Sequence, residues 1–232
     1  RFGGFALQGP KFPNSAGLTL LLRHWHDSGD DATLQAATHT LTHMAQGGIY
    51  DHLGGGFHRY SVDERWLVPH FEKMLYDNAL LVPAYVDAWQ ATHSPLFARV
   101  VRETLDYVIR EMTSGGGYCA TQDADTEGVE GKFFVWTPEQ VEEVIDDEET
   151  ARLFCAYYDI TPHGNFEGNS ILHVDTDIDA EARILEVSPQ DLQKAVDDGR
   201  RRLFEARIWR VAPARDDKVL VTWNGLMISA MV

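Results

Sequence analysis

Apolar residues recur at three- and four-residue intervals along most of this chain, the repeat of a helix with one buried face. A short apolar helix is predicted from Gly17 to Asp27. The next takes Asp31 as N-cap and runs to Gln46, with Leu34, Ala37, Leu41, Met44 and Ala45 on one face and Gly47 ending it. Phe71, Met74, Leu75, Asn78, Val82, Tyr85, Val86 and Trp89 share a face over about five turns, with Pro83 inside the run. Ser94-Pro95 opens a further helix, whose apolar positions are Phe97, Val101, Leu105, Val108 and Met112 and which Gly115 stops. Thr137-Pro138-Glu139-Gln140 is a capping box, Ser188-Pro189 starts a helix lasting to about Arg207, and Asn224 to Val232 begins a last one. Strand signals are few: Lys132–Trp136 and Ser170–Val174, each after a glycine-rich acidic loop, suggest a small antiparallel ribbon.

Double glycines at Gly3-Gly4, Gly47-Gly48 and Gly116-Gly117 fall between helical segments. Helical hairpins with glycine-rich loops on one rim predict a mainly all-α fold, an α-solenoid or an α/α toroid, carrying a small antiparallel β ribbon. No stretch has linker composition, so residues 1–232 read as a single domain. A ring of six hairpins needs more helices than the pattern supplies, so the chain is expected to be part of a longer protein.

Composition narrows the picture. The 232 residues are 44% hydrophobic, enough for a real core, and no run of about eighteen apolar residues predicts a membrane span. The formal charge of −16 argues against a nucleic-acid partner, which needs clustered Lys and Arg. Cys119 and Cys155 form no CxxC or zinc pattern and read as reduced thiols of a cytoplasmic protein; the N-terminal residues have no apolar signal core.

The densest chemistry lies in Gly47–Asn78, where five glycines, three histidines and three tyrosines accompany several charges. The run Gly54-Gly55-Gly56-Phe57-His58-Arg59-Tyr60 through Val68-Pro69-His70-Phe71-Glu72-Lys73-Met74-Leu75-Tyr76-Asp77-Asn78 resembles the signature of the spermatogenesis-associated, thioredoxin-containing family. Pro10-Lys11-Phe12-Pro13, Asp123 to Gly128, Glu130 to Thr137, Asn165 to Gly168 and Asp216 to Leu220 resemble it in the same order. Gly9 departs from it, standing where Ala is expected. The resemblance implies a toroid similar to those of six-hairpin glycosidases and N-acylglucosamine 2-epimerases. It also implies a preceding thioredoxin-like domain, which this sequence does not contain.

Two readings of function stay open. In the first, the chain is a carbohydrate-active acid/base enzyme, epimerase-like or glycosidase-like, acting on a sugar-like ligand without cofactor or metal. Asp123 and Asp125 would be its carboxylates, within an acidic loop that also reads as a solvated turn. His58 and His70, or His58 with His52, would shuttle or orient protons, as a histidine pair does in the 2-epimerases that the family resembles. Arg59, Glu72, Tyr76, Asp77 and Trp136 would contact the ligand, with Glu72, Lys73, Tyr76 and Asp77 in the first two turns of the long helix. Asp123-x-Asp125-x-Glu127-Gly128 imitates the start of a calcium loop, but Phe134 stands where the bidentate Glu belongs. His39 and His43 read as structural. In the second reading the toroid is a non-catalytic binding or scaffold module serving a thioredoxin-like domain.

Overall fold

The computed structural model describes residues 1–6 and 8–232. Among the described residues there are nine helices: α1 (Ser15–Ser28), α2 (Asp31–Gln46), α3 (Leu75–Thr92), α4 (Pro95–Glu111), α5 (Pro138–Val144), α6 (Glu148–Tyr157), α7 (Ile178–Ile184), α8 (Pro189–Arg207) and α9 (Val221–Met231). The fold is mainly helical, as the spacing predicts. α1 packs on α2 and α3, while α3 also packs on α4 and α9, so α3 is the element around which that half is arranged. Leu18, Leu41, Leu81, Tyr85 and Phe97 close the core between α1 and α4. A second core, with Val141, Phe154, Leu192 and Leu203, joins α5, α6 and α8.

Cap chemistry sets several boundaries. Thr137 and Gln140 make the reciprocal capping box of α5. Ser188 accepts from Asp191 N–H at the start of α8, and α2 ends at Gln46 with Gly47 following. The α2 cap is Asp30, one residue before the expected Asp31, because its carboxylate accepts from Ala32 N–H.

The long helix starts later than its apolar spacing predicts. Phe71, Glu72 and Lys73 lie outside α3, in an extended segment leading to it. The Phe71 and Glu72 carbonyls accept from His58 Nδ1–H and Arg59 N–H, and Leu75 N–H, which a helix through Phe71 would direct to the Phe71 carbonyl, donates to Ala120 C=O instead. Trp89, expected on the buried face, is 40% exposed. The fourth helix ends at Glu111, before the expected stop at Gly115.

Ribbons are short and antiparallel. β1 (Tyr60–Ser61) pairs with β2 (Pro69–His70). A three-stranded sheet joins β3 (Lys73–Met74) to β6 (Thr121–Gln122) and β9 (Arg215–Asp216), bringing the foot of α3 against the loop before α9. β4 (Thr113–Ser114) with β5 (Gly117–Tyr118), and β7 (Asp125–Thr126) with β8 (Val129–Glu130), are hairpins. The ribbon expected from Lys132–Trp136 and Ser170–Val174 reduces to one bridge, Trp136 with Ser170. Phe133, Phe134 and Val135 instead turn inward onto Phe71 and Ile171, and Phe134 and Val135 N–H donate to Gly131 C=O.

Candidate functional site

The glycine loop is shaped by what crowds it. Gly55 and Gly56 have φ of +78° and +81°, where side chains are disfavoured, and a Cβ on Gly56 would sit 2.5 Å from the Tyr107 ring. The loop turns about Asp51, whose carboxylate accepts from Leu53 and Gly54 N–H at 3.1 and 3.0 Å. From it emerge His58 and Arg59.

Arg59 N–H donates to Glu72 C=O at 2.8 Å, laying the two residues side by side. Arg59 Nη1 then reaches Glu72 Oε2 at 2.8 Å. The β1–β2 register sets His70 opposite Tyr60, their rings 5.2 Å apart, with Phe12 stacked on Tyr60 at 4.8 Å. His70 lies between two carboxylates, Nδ1 2.7 Å from Glu130 Oε1 and Nε2 3.8 Å from Glu72 Oε2. Glu130 is held in turn by Phe71 N–H at 3.3 Å.

Tyr76 and Asp77 open α3 beside this group, and the Tyr76 ring meets Trp223 at 4.9 Å. A carboxylate near a helix N-terminus is normally favoured in its charged form. Burial outweighs that here and pushes Asp77 up to about 7; Arg59 and Tyr76 oppose the shift, and Glu72 adds to it. Tyr76 is also raised, by burial and by the Asp77 charge. Asp77 Oδ2 and Arg59 Nε are both buried without a hydrogen-bond partner among the described residues. An acceptor and a charge-bearing donor left unused close together are uncommon in a folded protein. The arrangement can exchange a proton near neutral pH beside a fixed cation.

The other expected site residues lie around this group rather than in it. His58 is fully buried between Phe71 and Phe134, at 5.2 and 4.8 Å, and its Nδ1–H donates to Phe71 C=O at 2.7 Å. Burial, reinforced by the Lys73 charge, lowers it to about 3, so it stays neutral. Asp123 is exposed and binds its own loop, accepting from Ala124 N–H at 2.7 Å. Asp125 is exposed on β7, opposite Glu130 on β8, so the acidic hairpin reaches His70 through Glu130. Trp136 is buried, with the Arg210 guanidinium 3.7 Å above its ring. No group of three or more His, Cys, Asp or Glu suited to a metal occurs among the described residues.

A buried ionic triad behind the site was not anticipated. Asp51 accepts from Arg207 at 2.9 and 3.0 Å and from Lys73 Nζ at 2.8 Å. Lys73 also donates to Gly55 C=O and lies 4.2 Å from the Tyr107 ring centre. Burial works against ionising Asp51, but the two cations outweigh it and hold its carboxyl well below the usual range. Lys73 had signalled itself only as a charge within the motif. Nothing near Arg207 in the sequence points to Asp51, 156 positions away.

A concavity of about 1160 Å³ lies between α6, α7 and α8, away from this chemistry. It is broad, and charges on its wall, such as Arg201 with Asp198 at 2.6 Å, pair with each other.

No family model matches the chain. It is similar to spermatogenesis-associated protein 20 of Homo sapiens, 35% identical over 257 aligned residues covering 98% of this chain and 33% of the relative. The Mus musculus protein of the same name is 34% identical, with 98% of this chain and 32% of the relative covered. The chain therefore spans about a third of the length of the curated relatives it matches. Among solved structures it is similar to a cellobiose 2-epimerase from Bacillus thermoamylovorans, 12% identical with a TM-score of 0.48, covering 90% of this chain and 64% of that one. At that distance the likeness says nothing of chemistry. No helix among the described residues is long and apolar enough to cross a membrane.

Proposed function

We propose that this chain is the helical, toroid-forming part of a longer spermatogenesis-associated, thioredoxin-containing protein. In this reading the Arg59–Glu72–His70–Asp77 cluster is an acid/base site for a sugar-like ligand. The single observation that carries it is Asp77: a carboxyl that titrates near 7, with an unpartnered oxygen, beside Arg59 with an unpartnered Nε. Asp77 would give or take the proton. Arg59 would stabilise negative charge developing on a ligand oxygen. His70, held by Glu130, would serve as the second proton carrier, and Tyr76 would supply a hydroxyl and an aromatic edge. His58 is a positioning group in this scheme, fixing the Phe71 carbonyl ahead of Glu72. Asp123 and Asp125 belong to the loop that carries Glu130.

The test is incubation of the protein, as this chain and at full length, with a panel of aldoses and disaccharides in deuterated buffer, followed by NMR. Incorporation of deuterium at a carbon-bound position, or hydrolysis, is expected with at least one sugar. Asp77→Asn should cut that rate by about 100-fold or more, the usual scale of a lost general acid or base, and His70→Gln by at least about tenfold. Turnover unaffected by both substitutions would overturn the assignment. Ligand retention with no exchange by wild type would favour the binding-module reading instead.

A further inference from the structure

A second cavity, of about 520 Å³, lies against the β7–β8 hairpin and the segment after α8. Its volume suits a single small ligand. Thr126, Glu130, Phe133, Gln140, Phe166 and Arg210 are among its walls. Glu130 also holds His70, so the cavity adjoins the acid/base cluster through one shared carboxylate.

Two of these residues have capacity that the protein leaves unused. Thr126 is only 4% exposed, yet its Oγ1 makes no hydrogen bond among the described residues. Arg210 is clamped on one side: Nη1 donates to the Phe133 and Val135 carbonyls at 3.1 and 2.8 Å, and Nη2 to Gln140 Oε1 at 3.3 Å. No carboxylate lies within ion-pair range of Arg210 among the described residues, and its Nε makes no hydrogen bond to the protein. By contrast, Lys132 on the same wall has its partner, Glu127 at 2.7 Å. Burial, with Arg207 nearby, lowers Arg210 to about 10, the mark of a cation lacking its counter-charge.

We propose that this cavity is a subsite for an acidic sugar of the uronic type, whose carboxylate pairs with the free Nε edge of Arg210. The guanidinium edge presents parallel donors matched to the two oxygens of a carboxylate. Phe133 and Phe166 supply apolar faces for a sugar ring, and Thr126 Oγ1 and Gln140 supply hydroxyl partners. A monoanion fits better than a phosphate dianion, because Glu127, Glu130 and Glu167 share the wall and repel a second negative charge. The inference rests on the sugar reading above and names the class of sugar.

The test compares D-glucuronate, D-glucose and D-glucose 6-phosphate binding to the intact chain by calorimetry, while following the Arg210 Nε–H resonance by NMR. Glucuronate should bind at least about tenfold more tightly than glucose, the effect of one good charged contact, and should shift that resonance. Arg210→Gln should abolish the preference. Thr126→Val, near-isosteric and without a hydrogen bond to lose inside the protein, should weaken glucuronate by about three- to tenfold and leave the melting temperature in place. That variant keeps the test decisive if Arg210→Gln fails to fold. Equal binding of glucuronate and glucose overturns the subsite while leaving a sugar site intact. Tighter binding of glucose 6-phosphate, a preference surviving Arg210→Gln, or no binding of any of the three also overturns it. If glucuronate binds as expected but Asp77→Asn leaves turnover intact, the subsite stands and the acid/base assignment fails.

Discussion

Asp77 and Arg59 define each other's behaviour. The guanidinium pulls the carboxyl down while burial pushes it up, and burial wins. Two substitutions should therefore move Asp77 in opposite directions. Arg59→Met removes the opposing cation and raises its midpoint above that of wild type. Glu72→Gln removes a repelling anion and frees Arg59 from its 2.8 Å partner, so the midpoint falls. A carboxyl-selective infrared or NMR titration reads both signs. Stability carries the same information. The unfolded chain loses the Asp77 proton near pH 4 and the folded chain near 7, so ionisation costs stability progressively as pH rises through that window. Asp77→Asn should thus stabilise the protein at pH 8 by about 2 kcal/mol, roughly half of what the full shift converts to, since the group is partly solvated. The gain should vanish below about pH 3, where both states hold the proton; an equal gain at both values would mean that Asp77 carries no raised midpoint.

At the scale of elements, the buried triad fastens the glycine loop, the β3 segment and the end of α8 together. Asp51 is its only anion against two cations, so its loss leaves Lys73 and Arg207 buried and mutually repelling. Asp51→Asn should destabilise by about 3–5 kcal/mol, the cost of breaking a buried pair, and Lys73→Met by less than half of that, because Arg207 keeps Asp51 paired. Chemical denaturation of the two variants gives the order, and Lys73→Met costing more would contradict it. The sequence made parts of this level legible. Caps with a direct chemical mechanism, at Thr137 and Ser188, placed α5 and α8, and the 3.6-residue repeat placed α2 and α4. The start of α3 was not legible: Phe71 and Met74 fit the helical repeat, but the Phe71 and Glu72 carbonyls are taken by His58 and Arg59, and Met74 by strand pairing. The two short helices α6 and α7 also escaped. Their caps, Asp147 and Asp177, sit among many other acidic residues, so a side chain accepting from an N–H three positions on did not stand out. At the site, Arg59, His70, Glu72, Tyr76 and Asp77 lie within one short segment and could be grouped by proximity. Glu130, Arg207 and Arg210 come from far along the chain, where no local pattern signals the pairing.

For the whole molecule, acid should be the weak side. His52 and His58 are enclosed, and burial lowers each to about 3. Unfolding exposes both to their ordinary range near 6.5, so the unfolded state takes up two protons that the folded state refuses. Stability from this source is full above about pH 6.5 and is lost as pH falls toward 3, while Asp77 works the other way between 7 and 4. Two groups against one should leave a net fall in melting temperature on acidification from pH 6 to 4. A His58→Gln variant that still folds should show a shallower fall, and an unchanged slope would place the titration elsewhere. The same enclosure sets the neutral His58 apart from the half-buried Asp77 and from Arg59 and His70, whose side chains are 39% and 30% exposed. The titration of the Asp77 carboxyl in the folded wild-type chain, followed by carbon-13 NMR, tests this division most directly. A midpoint near 7 is predicted, and a midpoint near 4, the value of an ordinary solvated aspartate, contradicts it.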